Sequence, residues 1–353
     1  MITTMNEWGA AWAGWLGPLA LQNTVFLGLV FLALHALRDA PARVRAAVAT
    51  AGVVKLALPA FVPVARPAAD AAAPAADAVS TLLFPFGATL HQTAAGPAWT
   101  GGLTMPAVLL LAWASVALAR LGWVALQTAQ LAVAVRGAVP VDPDQLPADV
   151  RRAGPAVKRS ARIPLPLSFG PWPRTIYVPA AWDTWDRTAR AAVLRHELAH
   201  VQRRDGLVLT LEIVVQAAWF FHPLVHLLIR RLRTWREMAC DDRCLAADPG
   251  ARLAYTRFLA GLAETALIGP VVTSSASTLL RGKSELLSRV SHQLEESAMR
   301  TVPKTRVVLV AVLLAACVVP LSLVLADPPP APPASASRAG GAGGAGGAGG
   351  GSA

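Results

Sequence analysis

Four stretches of this chain, near residues 13–36, 46–65, 103–123 and 305–326, are apolar over the length of about 20 helical residues that a hydrocarbon core of about 30 Å requires. The first has no Lys or Arg before it and is followed by Arg38, Arg43 and Arg45, the reverse of the charge order of a cleavable signal peptide. It is therefore expected to stay as an anchor with the N-terminus outside. Of 32 Lys and Arg residues, 25 fall between Arg136 and Arg306 and three in the 38–45 loop. Lys55 and Arg120 lie inside spans, which leaves only Arg66 and Arg338 for the opposite side. Positive residues collect on the cytoplasmic side, so the 38–45 loop and the 136–306 region are predicted to be cytoplasmic. The 66–100 loop and the C-terminal tail then face outward, and four alternating crossings satisfy every loop.

This distribution decides how the net charge of +11 is read. Topology and anionic lipid headgroups account for it, no aromatic-interleaved basic motif accompanies it, and direct nucleic-acid binding is not expected. With 54% apolar and 15% charged residues the chain has the balance of a membrane protein, and the lipid bilayer is its first partner. Arg120 sits near a cytoplasmic end and is free to snorkel, whereas the sequence identifies no partner for Lys55. Residues 66–100 are rich in Ala and Pro, with a candidate interfacial segment around Leu82 to Leu90. The 327–353 tail, a Pro-rich run ending in Gly-Gly-Ala repeats, is expected to be a disordered tether. The three cysteines do not make a disulfide scaffold. Cys240 and Cys244 share a helix face without a second pair at ligand spacing and read as reduced thiols.

The chemistry sits in the positive region. Apolar residues from Ala192 to Val201 predict a helix between Thr188 and Arg203, with Trp185 and Asp186 near its start. On it, His196-Glu197-Leu198-Ala199-His200 places two imidazoles four residues apart on one face, where both can bind one zinc ion. Glu197 can then act as general base toward a water that zinc activates. A third ligand is required, and Glu237 fits it, with Asp241 four residues on at the spacing that orients a ligand histidine. The apolar run 207–221 tests this reading, because a crossing there would put His196 and Glu237 on opposite faces of the membrane. His222-Pro223 supplies a break, and fifteen residues on either side of position 222 reach Leu207 and Glu237, so an antiparallel hairpin closes the site.

Asp205 reads equally as a cap for the following helix or as a second orienting carboxylate. Glu212, His222 and His226 lie on the hairpin, and His226 reads as a packing residue, because a catalytic zinc keeps one position open. Upstream, Ile163 to Phe169 and Thr175 to Val178 predict a small β element whose edge could hold an extended peptide. For the oxyanion, Tyr177 and His222 are candidates without a distinguishing signal.

The segments Ser168-Phe169-Gly170, Ile176-Tyr177-Val178-Pro179, Leu194 to His200, Arg203-Arg204-Asp205, Trp219 to Val225 and Arg236 to Asp242 resemble the BlaR/MecR-type membrane metallopeptidases. The likeness runs over about residues 10–326 and is strongest at 160–250. It implies a gluzincin-like α+β metallopeptidase domain between the third and fourth transmembrane helices. It also implies one catalytic zinc held by His196, His200 and Glu237, Glu197 as base, and cleavage of a cytoplasmic repressor or of the protein itself. The antibiotic sensors of that family carry a penicillin-binding domain after the last span, where this chain has the Pro/Gly/Ala tail, so the likeness does not extend to β-lactam sensing.

The expected fold is thus mainly α. Residues 1–136 form a membrane region with three helices, 137–304 a cytoplasmic zinc endopeptidase acting on a protein or peptide, 305–326 a fourth span, and 327–353 an outward tail. A housekeeping or prenyl-protein-processing membrane peptidase uses the same ligand logic, and the Phe-His-Pro and Phe-Gly segments argue against it. A non-catalytic transducer with a structural metal would have no use for Glu197.

Overall fold

The computed structural model describes residues 1–61, 102–170, 175–268 and 283–294, with single positions 303, 305 and 307. The 66–100 loop, all but two positions of the predicted fourth span, and the tail lie outside the described residues. Helices α1 (Ile2–Ala36) and α3 (Met105–Ala134) are long and apolar enough to cross a membrane. At 1.5 Å per residue they run about 52 and 45 Å. Both outrun the stretches read from hydropathy. Residues 124–134 contain Gln127, Thr128 and Gln130, which dilute apolarity, but no Gly or Pro to stop the helix.

Helix α2 (Ala42–Phe61), which covers most of the expected second span, is not among the helices apolar enough to cross a membrane. It carries Arg43, Arg45 and Lys55. Lys55 uses its charge inside the protein: Nζ donates to Asn23 Oδ1 at 2.7 Å and lies 4.8 Å from the centre of the Phe26 ring. The two long helices start side by side. Asn6 accepts from the Thr104 N–H at 2.8 Å and donates to the Gly102 carbonyl at 3.2 Å, and Trp12 packs on Trp113. A Cβ at Gly9 would fall 2.4 Å from the backbone nitrogen of Ala107, so only glycine allows this approach. Hence α1 and α3 run in one direction, while a tight turn at 37–41 sends α2 back.

Beyond α3 the chain builds a small mixed sheet of β1 (Val139–Pro140), β2 (Ala156–Ser160), β3 (Leu167–Ser168) and β4 (Thr175–Pro179), in the order β1-β2-β4-β3. Strands β2 and β4 are parallel, and both edge strands are antiparallel to their neighbours. A short helix α4 (Ala148–Ala153) ends at Gly154, whose φ of 79° closes it in the left-handed region. Alternation along β4 turns Ile176 and Val178 inward, where they bury with Val150, Val157 and Trp182 against Leu194 and Leu198 of helix α5 (Arg187–Arg203). The edge strand β3 also packs on α5.

Next come α6 (Asp205–Ala218) and α7 (Pro223–Ala247), the expected hairpin. His222 is the N-cap of α7 and Pro223 its first residue, where a missing N–H costs nothing. What hydropathy did not convey is where the tip goes. Val215, Trp219, Leu228, Ile229 and Leu232 share one core with Leu27 and Val30 of α1 and Ala49, Val53 and Leu56 of α2. Polar atoms at the tip find partners on all three N-terminal helices. His222 Nε2 lies 3.0 Å from Thr24 Oγ1, Trp219 donates to the Leu56 carbonyl, and Trp113 donates to that of Ala218. The hairpin tip thus packs into the bundle of α1, α2 and α3 and the chain returns along α7. Helices α8 (Arg252–Ile268) and α9 (Lys283–Leu294) close the far side, α8 on α5 and α9 on both α7 and α8.

Candidate metal centre

Helix α5 begins where Asp186 accepts hydrogen bonds from the N–H groups of Thr188 and Ala189, at 2.6 and 3.2 Å. Ala189, Ala192, Leu194, Leu198 and Ala199 are buried, which fixes the rotation of the helix. His196 and His200 then project one turn apart, with their Nε2 atoms 3.1 Å from each other. Helix α7 brings Glu237 to the same place: Oε2 is 3.5 Å from His196 Nε2, and Oε1 is 3.6 Å from His200 Nε2. These three side chains form one group close enough to share an ion.

The donor set fits a tetrahedral dication. Zinc with nitrogen and oxygen ligands at about 2.0–2.1 Å sets neighbouring ligand atoms about 3.3 Å apart, close to the spacing found here. The distal ring nitrogens point the same way. His196 Nδ1 is 2.9 Å from Asp241 Oδ1, and His200 Nδ1 is 2.8 Å from Asp205 Oδ2. When each Nδ1–H is donated to its carboxylate, both Nε2 lone pairs are left facing Glu237. Glu237 Oε2 is itself buried without a hydrogen-bond partner. Among the described residues, Glu197, Asp205, Glu212, Glu237 and Asp241 are buried carboxylates, against only two buried guanidinium groups, those of Arg236 and Arg289. A dication offsets most of that excess negative charge.

Electrostatics follow the geometry. Burial disfavours a charged His196, yet hydrogen bonds to Asp241 and Glu237 raise its pKa above the ordinary value. Burial opposes charge on His200 as well, and the acidic groups around it, Cys240, Glu237 and Asp205, outweigh it and raise the pKa well above normal. Burial would push the Glu237 carboxyl up, but His200 and His196 hold it well below the usual range. Asp241 is lowered against the same burial cost by Arg289 and by the hydrogen bond from His196. A metal ion competes with protons for the two imidazoles, so its binding depends on pH.

Each residue singled out in the sequence has a definite place. Glu197 is buried on the same helix, 4% exposed. Asp205 opens α6 but makes no side-chain cap; it bonds His200, and Arg203 Nε at 3.4 Å. It reaches back because Arg204 takes a left-handed conformation, φ 57°, between α5 and α6, which costs a non-glycine residue about 1 kcal/mol. Cys240 lies 3.5 Å from His200 Nδ1 and 3.6 Å from Asp205, and burial raises its thiol pKa. Cys244 donates to the Ala192 carbonyl and is pushed up to about 12 by burial and Asp241. Glu212 bonds Arg233 and Arg236 and so straps α6 to α7. His226 bonds the Phe220 carbonyl, a packing contact.

The oxyanion candidates do not join the group. His222 belongs to the hairpin tip, and Tyr177 alternates with Ile176 and Val178, which face α5, and so lies on the other side of the sheet. Two residues not picked out from the sequence do join it. Tyr255 of α8 donates to Asp241 Oδ1 at 2.7 Å and lies 3.0 Å from His196 Nδ1; burial and Asp241 raise its pKa and keep the hydroxyl proton in place. Arg289 of α9 forks onto Asp241.

The family model described as BlaR1 peptidase M56 matches residues 28–292, and the chain belongs to that family. Regulatory protein BlaR1 of Bacillus licheniformis is 31% identical over 85 residues, which cover 24% of this chain and 14% of that protein. The match thus spans a small part of the relative's length. Family membership points to a metallopeptidase and implies a metal cofactor, and the two bilayer-length helices fit a membrane protein.

Proposed function

We propose that this member of the BlaR1 peptidase M56 family is a membrane-bound zinc endopeptidase, acting on a cytoplasmic protein such as a transcriptional repressor, or on itself. The observation that carries the reading is the convergence of His196, His200 and Glu237, with both distal ring nitrogens already bonded to carboxylates. In it, His196, His200 and Glu237 hold the zinc, Glu197 is the base, and Asp205 and Asp241 orient the two imidazoles. When bound, zinc supplies Lewis acidity toward the scissile carbonyl and lowers the pKa of a water. Glu197 takes the proton of the attacking water on its carboxylate and delivers it to the departing amide nitrogen. Strand β3, at the edge of the sheet and packed on α5, supports binding of an extended peptide by main-chain hydrogen bonds.

The topology of this proposal has four spans, α1, α2, α3 and residues 305–326, with the peptidase domain at 137–304 on the cytoplasmic side and both termini outside. The parallel course of α1 and α3, with α2 reversed, supports it. Purified wild type and Glu197→Gln are compared for zinc content and for cleavage of candidate cytoplasmic proteins and of the chain itself. Equal zinc with cleavage lost only in the variant is the expected result. A wild type without zinc, or equal cleavage by both, refutes the reading.

A further inference from the structure

The metal ligands come from α5 and α7, but the deepest cation beside them comes from α9. Arg289 is 2% exposed. Its Nε donates to Asp241 Oδ2 at 2.8 Å and its Nη2 to Asp241 Oδ1 at 2.7 Å, a two-pronged grip that fixes the plane of that carboxylate. The same Nη2 reaches the Tyr255 hydroxyl at 3.2 Å, and Nη1 lies 3.4 Å from Glu237 Oε2. One guanidinium therefore touches both the carboxylate behind His196 and the carboxylate that faces the two imidazoles.

We propose that Arg289 is a positioning residue for the metal ligands, and that docking of α9 through it sets how tightly the site holds its ion; this rests on the metallopeptidase reading above. Helix α9 has 12 residues, too few to be stable by itself, so its place depends on what it touches. Those contacts converge on the metal's own supports. Besides the grip on Asp241, His292 lies 2.8 Å from Asp242, Arg252 donates to the Gln293 carbonyl, and Val290 packs on the cluster of Tyr255 and Leu259. When α9 is docked, Asp241 has one orientation and presents Oδ1 to His196 Nδ1. When it leaves, Asp241 loses its only partner with fork geometry among the described residues, Glu237 loses one of its nearby cations, and two ligands become free to turn. Metal binding and α9 docking are then reciprocal, each strengthening the other by the same factor.

The full chain in detergent is compared as wild type, Arg289→Met and Arg289→Lys, using zinc with a competing chelator and cobalt as a spectroscopic probe. Removing an outer partner of a ligand is expected to weaken zinc binding about 10–100-fold in Arg289→Met. Arg289→Lys, which keeps the charge without the fork, should lose less, and the visible cobalt bands of both variants should shift. In wild type, hydrogen exchange of residues 283–294 should slow when zinc is added. Wild-type affinity and cobalt spectrum in both variants, or exchange in 283–294 indifferent to zinc, overturns the proposal. If Arg289→Met does not fold, Arg289→Lys and the wild-type exchange decide it. A wild type that takes up no zinc refutes the metal reading itself, whereas indifferent variants of a zinc-binding wild type refute only the role of Arg289.

Discussion

Replacing Glu212 with Ala should destabilise the hairpin strongly. Glu212 is fully buried and accepts from Arg233 Nε at 2.7 Å and Arg236 Nη1 at 2.8 Å. Arg236 is 3% exposed, and its Nε has no hydrogen-bond partner even with Glu212 in place. The substitution takes from a buried guanidinium its hydrogen-bonded counter-charge, with Asp205 and Glu237 remaining nearby, a loss of about 3–5 kcal/mol. For a domain of this size each kcal/mol moves the melting temperature by about 2–4 °C, so Glu212→Ala should melt about 6–20 °C lower. Glu212→Gln, which keeps one acceptor, should lie between Ala and wild type. Thermal unfolding in detergent with metal chelated measures this without interference from zinc. The decisive variant is Glu212→Met combined with Arg236→Met. If the cost comes from an unpaired charge, removing both partners should recover stability relative to Glu212→Ala. A Glu212→Ala melt within a degree or two of wild type, or a double variant no more stable than the single, would refute the reasoning.

Asp205→Ala removes the acceptor of the His200 Nδ1–H and should weaken zinc binding about 10–100-fold in chelator competition, whereas affinity within twofold of wild type would mean that the ring holds its orientation without Asp205. The docking of α9 should depend on pH through His292, whose pKa the hydrogen bond to Asp242 raises above 6.5, with a smaller contribution from Asp241 and with burial and Arg45 opposing. A raised folded-state pKa stabilises below the unfolded value and loses that contribution as pH rises through the folded one. Intrinsic-rate-corrected exchange protection of residues 283–294 in chelated protein should therefore fall as pH rises above the ordinary histidine value of 6.5. His292→Gln should flatten the slope, and an equally steep slope in that variant would assign it to another group.

The parts of the site that were readable in the sequence are those that depend on short-range geometry. His196 and His200 meet because four residues make one helical turn, and Glu237 and Asp241 reach two sides of the same centre for the same reason. The return of α7 was readable because Pro223 stops one helix and starts another. Asp205 was ambiguous, since its approach to His200 needs a left-handed Arg204, a conformation that a sequence signals with Gly or Asn and not with Arg. Arg289 and Tyr255 were out of reach for another reason. They lie 48 and 14 residues beyond Asp241 on helices whose packing partners no local pattern names. The available signal was an Arg next to Val290, which packs on the cluster of Tyr255 and Leu259, where a charge needs a buried counter-ion. Helix α2 shows the converse. Its charges lower its apolarity, and Lys55 is accommodated because Asn23 of α1 supplies the oxygen.

The depth of the hairpin follows from a constraint that periodicity does not express. Trp219, Val225, Leu228, Ile229 and Leu232 need apolar partners, the sheet already occupies Leu194 and Leu198, and α1 and α2 supply them. One consequence concerns α7. Its first half is core of the bundle and its second half carries Glu237 and Asp241, with about 21 Å of helix between Pro223 and Glu237. After Pro223 the helix has neither Gly nor Pro, the usual sites of a sharp kink, and the Glu212 strap ties it to α6. A shift of α1 or α2 therefore moves α7 as a unit. Metal–ligand distances tolerate only about 0.2 Å, so a movement too small to unpack the bundle is large enough to disturb Glu237. The same helix that brings Glu237 to His196 and His200 thus couples that group to the packing of α1 and α2.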